Sequence, residues 1–127
     1  DLIITADTMV FLDNDRLGKP HDEDDALRML RELAGRGHTV CTGVSVRCGE
    51  TSELFAVSTR VFFRPATDDE ICAYIKTGEP MDKAGAYGVQ SRGALFVERI
   101  DGDFFNVMGL PVEQLGLVLA RFGVKLL

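Results

Sequence analysis

The chain has 127 residues, 46% apolar and 27% charged, and a formal net charge of −6. This is enough apolar sequence for one domain with a sizeable core, without the basic surplus that drives tight, unspecific nucleic-acid binding. No apolar run reaches the roughly eighteen residues of a membrane-crossing helix, and the first residues do not read as a basic-then-apolar leader.

Taken in chain order, DLIIT (1–5) is apolar and β-branched and reads as a buried central strand, with MVFL (9–12) continuing it beyond a polar pair, Asp7 and Thr8. An apolar strand that opens without a lead-in predicts residues upstream of Asp1. DNDRLG (13–18) reads as a turn. Asp22 is the expected N-cap of a helix running to about Arg36. Ala26, Leu27, Leu30, Leu33 and Ala34 form its apolar stripe, and Gly35 and Gly37 stop it. Residues 38–48 and 53–64 are two strands of a hairpin around CGETS, closed by Pro65. TDDE (67–70) has the form of a capping box and starts a helix to about Thr77. LFVERI (95–100) is a short strand. Pro111 opens a last helix with Val112, Leu115, Leu119 and Phe122 on one face. Strands and helices around one sheet predict an α/β or α+β fold in a single domain.

Three cysteines, Cys41, Cys48 and Cys72, make an odd set. That predicts reduced thiols and a cytoplasmic setting. A zinc site would need four ligands, and only His21 and His38 remain to join them, so structural zinc is not expected.

Four glycine-flanked polar islands are left once the scaffold is subtracted: ADT (6–8), GKP (18–20), GEPMDKAGAYGVQ (78–90) and GDFFNVMGLP (102–111). Binding residues concentrate on such loops. Asp7 between apolar neighbours is costly to bury unpaired. It is either a strand-end cap or an oxygen ligand for Mg²⁺ (or Mn²⁺), which normally arrives with phosphate. Lys19, fixed between Gly18 and Pro20, can present a charge to phosphate. Lys83 and Asp82 lie among backbone N–H groups able to approach an anion, or form an ordinary solvated pair. Gln90 carries both donor and acceptor, which suits a base edge. His38 reads as a packing residue, and Phe104 and Phe105 as core. Asp7 is expected at the mouth of a cleft near Lys19 and the 82–90 segment.

In this order the four islands resemble the Maf (septum-formation-protein-like) family of nucleoside triphosphate pyrophosphatases. ADTMV, GKP with Lys19 twelve residues after Asp7, GEPMDKAGAYGVQ and GDFFNVMGLP carry the resemblance across essentially the whole chain. The resemblance implies an α/β fold with an elongated mixed sheet, flanking helices and a central cleft, similar to the inosine triphosphate pyrophosphatases. It also implies metal-dependent hydrolysis of a nucleoside triphosphate to the monophosphate and pyrophosphate. By the same resemblance Asp7 is catalytic, holding Mg²⁺ or activating water, and Lys19 contacts the triphosphate. Thr8 and Gln90 fall at positions linked to base choice. Thr8 together with DKAGAYGVQ points to the branch acting on dTTP and UTP.

The family's S-x-S-P-R-R loop, which precedes ADT, is not in this sequence. The chain is therefore expected to be a single Maf-like domain, 1–127, without its N-terminal strand and loop, and without their arginines. The alternative reading is a nucleotide-binding or interaction module with no catalysis. A homodimer is left open, and neither a nucleic-acid nor a membrane partner is expected.

Overall fold

A computed structural model describes residues 1–127. Five strands form one sheet in the order β2-β1-β3-β4-β5, where β1 is Leu2–Leu12, β2 Asp15–Leu17, β3 Gly37–Cys48, β4 Thr51–Phe63 and β5 Val97–Asp101. The helices are α1 (Glu23–Leu33), α2 (Asp68–Ile75), α3 (Phe104–Met108) and α4 (Val112–Arg121). The expected α/β architecture of a sheet flanked by helices is present. Within this chain all four strand pairings are antiparallel.

The long β3–β4 hairpin turns at Gly49 and Glu50, between the paired Cys48 and Thr51. It is built from β-branched residues alternating in and out. His38, Val40, Thr42, Val44 and Val46 are all buried on one face of β3. That face carries two apolar clusters. The larger joins Val10, Val40, Val61 and Phe63 to Leu30 and Leu33 of α1, Ile71 and Ile75 of α2, and Tyr87 and Phe96. The smaller packs Val44 and Val46 against Leu115, Val118 and Leu119 of α4. Each fully buried Leu or Ile contributes roughly 1.5–3 kcal/mol.

Both predicted caps are made. Asp22 accepts the Asp25 amide at 2.8 Å. Thr67 and Glu70 complete a reciprocal capping box at the start of α2. Arg31 and Asp68 join the two helices at 2.6 Å. α1 ends at Leu33, three residues before the expected Arg36, because Ala34 is already extended and Gly35 turns with φ +70°.

As the continuation into MVFL implied, β1 is one unbroken strand through Asp7 and Thr8, which pair with Gly43 and Thr42. Three expectations need correction. DLIIT is not buried: Leu2, Ile3 and Ile4 are 37%, 55% and 40% exposed. β2 pairs only with Val10–Leu12, so the outer edge of β1 from Leu2 to Met9 has no strand beside it. The segment read as a turn at 13–18 holds that short strand β2, with the turn confined to Asp13 and Asn14. Phe104 and Phe105 are 43% and 54% exposed, not core, because in α3 it is Asn106 that turns inward.

Candidate active site

All four islands contribute to one cavity of about 510 Å³. β1 brings Thr8 and Val10, the turn after β2 brings Lys19, the 78–90 segment brings Glu79, Lys83, Tyr87 and Gln90, and α3 with its following turn brings Val107–Gly109. Backbone contacts hold this assembly. The Gly85 amide donates to the carbonyl of Gly18 at 3.1 Å, tying the lysine loop to the glycine-rich segment. Gly85 has φ +73°, and a Cβ there would stand 2.9 Å from a Val10 methyl. Only glycine fits against β1 in that conformation.

Lys19 is exposed and Lys83 partly so. The Lys83 ammonium meets only the exposed Asp82, at 3.3 Å, a weak surface pair. Its stem packs over Gly88, where a Cβ would be 2.7 Å from Lys83 Cε. Both ammonium groups are thus placed at the cavity with little to hold them elsewhere. Thr8 and Gln90 add neutral hydrogen-bonding groups to the same cavity.

Glu79 and Tyr87 are cavity residues that the sequence reading did not single out. Glu79 accepts the Tyr74 hydroxyl and the amides of Arg92 (3.3 Å) and Gly93 (3.0 Å). Burial pushes its pKa up, but these hydrogen bonds and one with Ser91 outweigh that and hold it below the usual range. The signal was available in GEP: an acid next to a proline turn, with Gly93 fourteen residues on. Tyr87 meets His38 Nε2 at 2.6 Å inside an aromatic cluster with Phe63. His38 is fully buried, as the packing reading required. Burial, then the charge of Arg60, lowers its pKa to about 4.

Asp7 is not in this cavity. Successive strand residues point to opposite faces. While Thr8 lines the cavity, Asp7 lines a separate hollow of about 480 Å³ with Thr5, Gly43, Ser45 and Ala56. The expectation of Asp7 beside Lys19 in one cleft is therefore not met, and the reason is the continuity of β1 through Asp7 and Thr8. Nor does the chain gather three metal-ligating side chains anywhere. A lone exposed carboxylate suits a hard cation that arrives with phosphate oxygens, and it does not suit a resident ion caged by protein.

The Maf-like protein profile matches residues 1–122. The chain is 52% identical over 124 residues to the dTTP/UTP pyrophosphatase of Bacillus velezensis, covering 98% of this chain and 66% of that protein. It is 51% identical over 130 residues to the dTTP/UTP pyrophosphatase of Dictyoglomus turgidum, covering 99% and 66%. It is 50% identical over 123 residues to that of Aquifex aeolicus, covering 97% and 65%. The chain thus spans just under two thirds of the length of these relatives.

Proposed function

Since the chain belongs to the Maf-like protein family, we propose that it serves a nucleoside triphosphate pyrophosphatase. The reaction is cleavage of dTTP or UTP to the monophosphate and pyrophosphate. The observation that carries this reading is the pairing of two lysines, Lys19 and Lys83, with two neutral polar groups, Thr8 and Gln90, around one cavity. Ammonium groups bind and orient a triphosphate as point charges. Thr8 and the Gln90 amide offer the hydrogen bonds a pyrimidine edge needs. The cavity volume of about 510 Å³ is within the range of small-molecule sites.

Asp7 is the proposed catalytic carboxylate. It would hold Mg²⁺ (or Mn²⁺) together with the phosphates, and that cation would polarise the phosphoryl group under attack. Three free thiols fit a reducing, cytoplasmic compartment, and no helix is long and apolar enough to cross a membrane.

A second reading, nucleotide binding without catalysis, is favoured by one observation: Asp7 and Lys19 line different hollows. Pyrophosphate release over a panel of nucleoside triphosphates, with and without Mg²⁺, separates the two. The enzyme reading expects metal-dependent pyrophosphate from dTTP and UTP ahead of ATP and GTP. Binding of these nucleotides without any pyrophosphate supports the second.

A further inference from the structure

A pair of hydroxyls runs from half-buried Thr8 at the cavity wall to fully buried Thr42 on β3, between Val40 of the larger apolar cluster and Val44 of the smaller. Thr8 Oγ1 lies 3.0 Å from Thr42 Oγ1. The Thr42 hydroxyl in turn donates to the backbone carbonyl of Asn106 at 3.1 Å. Thr42 is 0% exposed and is not part of the cavity lining, whereas Thr8 is. Asn106, also fully buried, is itself fixed: its amide nitrogen reaches the Val40 and Val57 carbonyls and Thr59 Oγ1 at 3.2, 2.9 and 3.0 Å.

A threonine hydroxyl has one proton to give. The Thr42 proton goes to Asn106, so the Thr8–Thr42 bond needs the proton of Thr8. Reversing it, with Thr42 donating to Thr8, would take from the Asn106 carbonyl one of its two donors, leaving it the Gly109 amide (3.0 Å) alone, in a site that water does not reach. A lost hydrogen bond in such surroundings is not replaced. With its own proton turned inward, Thr8 faces the cavity with lone pairs only.

We infer that Thr42, without touching the ligand, makes Thr8 an acceptor-only group, so that the cavity selects a base presenting a ring N–H at that point, as uracil and thymine do and cytosine does not. This rests on the nucleotide reading above and deepens it. Thr8 takes the ring N–H, and Gln90 is left the neighbouring carbonyl. Thr42 is a positioning residue, and its effect is on choice between bases more than on affinity as such.

The test is calorimetric binding of the non-hydrolysable α,β-imido analogues of UTP and CTP, with Mg²⁺, to the chain and to two variants. Thr42→Val keeps the shape and removes the proton path, freeing the Thr8 hydroxyl to donate to an unprotonated ring nitrogen. The expected result is a fall in the UTP-to-CTP affinity ratio of roughly fivefold, the size of one redirected hydrogen bond. Thr42→Ser keeps the hydroxyl and is expected to keep the wild-type ratio. An unchanged ratio in Thr42→Val, with UTP analogue still bound, overturns the inference and leaves the nucleotide site standing. An equal loss of ratio in Thr42→Ser also overturns it, since packing of the methyl would then be the cause. If neither analogue binds the wild-type chain, the nucleotide reading falls and the inference falls with it.

Discussion

The amide of Gly85 donates to the carbonyl of Gly18 across 3.1 Å, and this single bond joins the two loops that carry Lys83 and Lys19. Gly85 holds φ +73° against Val10, with no room for a Cβ. Gly85→Ala is expected to cost roughly 1–3 kcal/mol of stability and to move the lysines apart. Thermal melts together with triphosphate titrations check this. A variant with native melting and native affinity would show that the join is dispensable.

Lys19→Ala is expected to weaken triphosphate binding roughly ten- to hundredfold, the loss of one charge-assisted contact, with little change in the affinity for the nucleoside. Competition titrations of triphosphate against nucleoside decide it. An equal loss for both ligands would place Lys19 in the framework of the loop instead.

Asp7→Asn keeps size and removes charge. It is expected to lower pyrophosphate release at least about a hundredfold while leaving the melting temperature near wild type, since the carboxylate is exposed and makes no hydrogen bond to another side chain. Activity within a few-fold of wild type would remove Asp7 from the catalytic role.

His38 sets a pH dependence of stability. Burial, then the charge of Arg60, holds its folded pKa at about 4, below the 6.5 of a free imidazole. Between these values the unfolded chain binds the extra proton, so stability rises with pH. The contribution is complete above about pH 6.5 and is lost as pH falls toward 4, in total on the order of 3 kcal/mol. Melting temperature measured from pH 6.5 to 5 should therefore fall in the wild type and fall less in His38→Gln. Parallel curves for the two proteins would contradict the assignment.

The unpaired edge of β1, together with exposed Leu2, Ile3 and Ile4, predicts self-association of this chain through strand pairing. Sedimentation is expected to show concentration-dependent species that Ile3→Lys disperses. A monomer at all concentrations would show that the edge is protected some other way.

Much of this architecture is written locally in the sequence. The caps at Asp22 and Thr67 announce α1 and α2, because a side-chain oxygen followed by free amides is a short-range signal. The β3–β4 hairpin shows in its alternation. The polar islands are visible as well, and all four contribute residues to the cavity. What is not legible depends on partners. DLIIT looks buried by composition, yet whether it is covered depends on neighbours that its own residues do not specify. FFNVM of α3 is too short for a helical stripe, so two phenylalanines masked the inward turn of Asn106. Asp7 and Thr8 read as one polar pair bracketed by strand-like residues, and so as parts of one site. Only the unbroken pairing with Gly43 and Thr42 sends them to opposite faces.

The central claim is that a triphosphate occupies the cavity between Lys19, Lys83, Thr8 and Gln90. Backbone amide shifts of the chain, recorded while α,β-imido-dTTP and Mg²⁺ are added, test it most directly. The account predicts saturable shifts at Lys19, Lys83, Gly88–Gln90 and Gly109, with Asp7 following only when the metal is present. Shifts confined to Thr5, Gly43, Ser45 and Ala56 on the other hollow, or no saturable shifts at all, would contradict it.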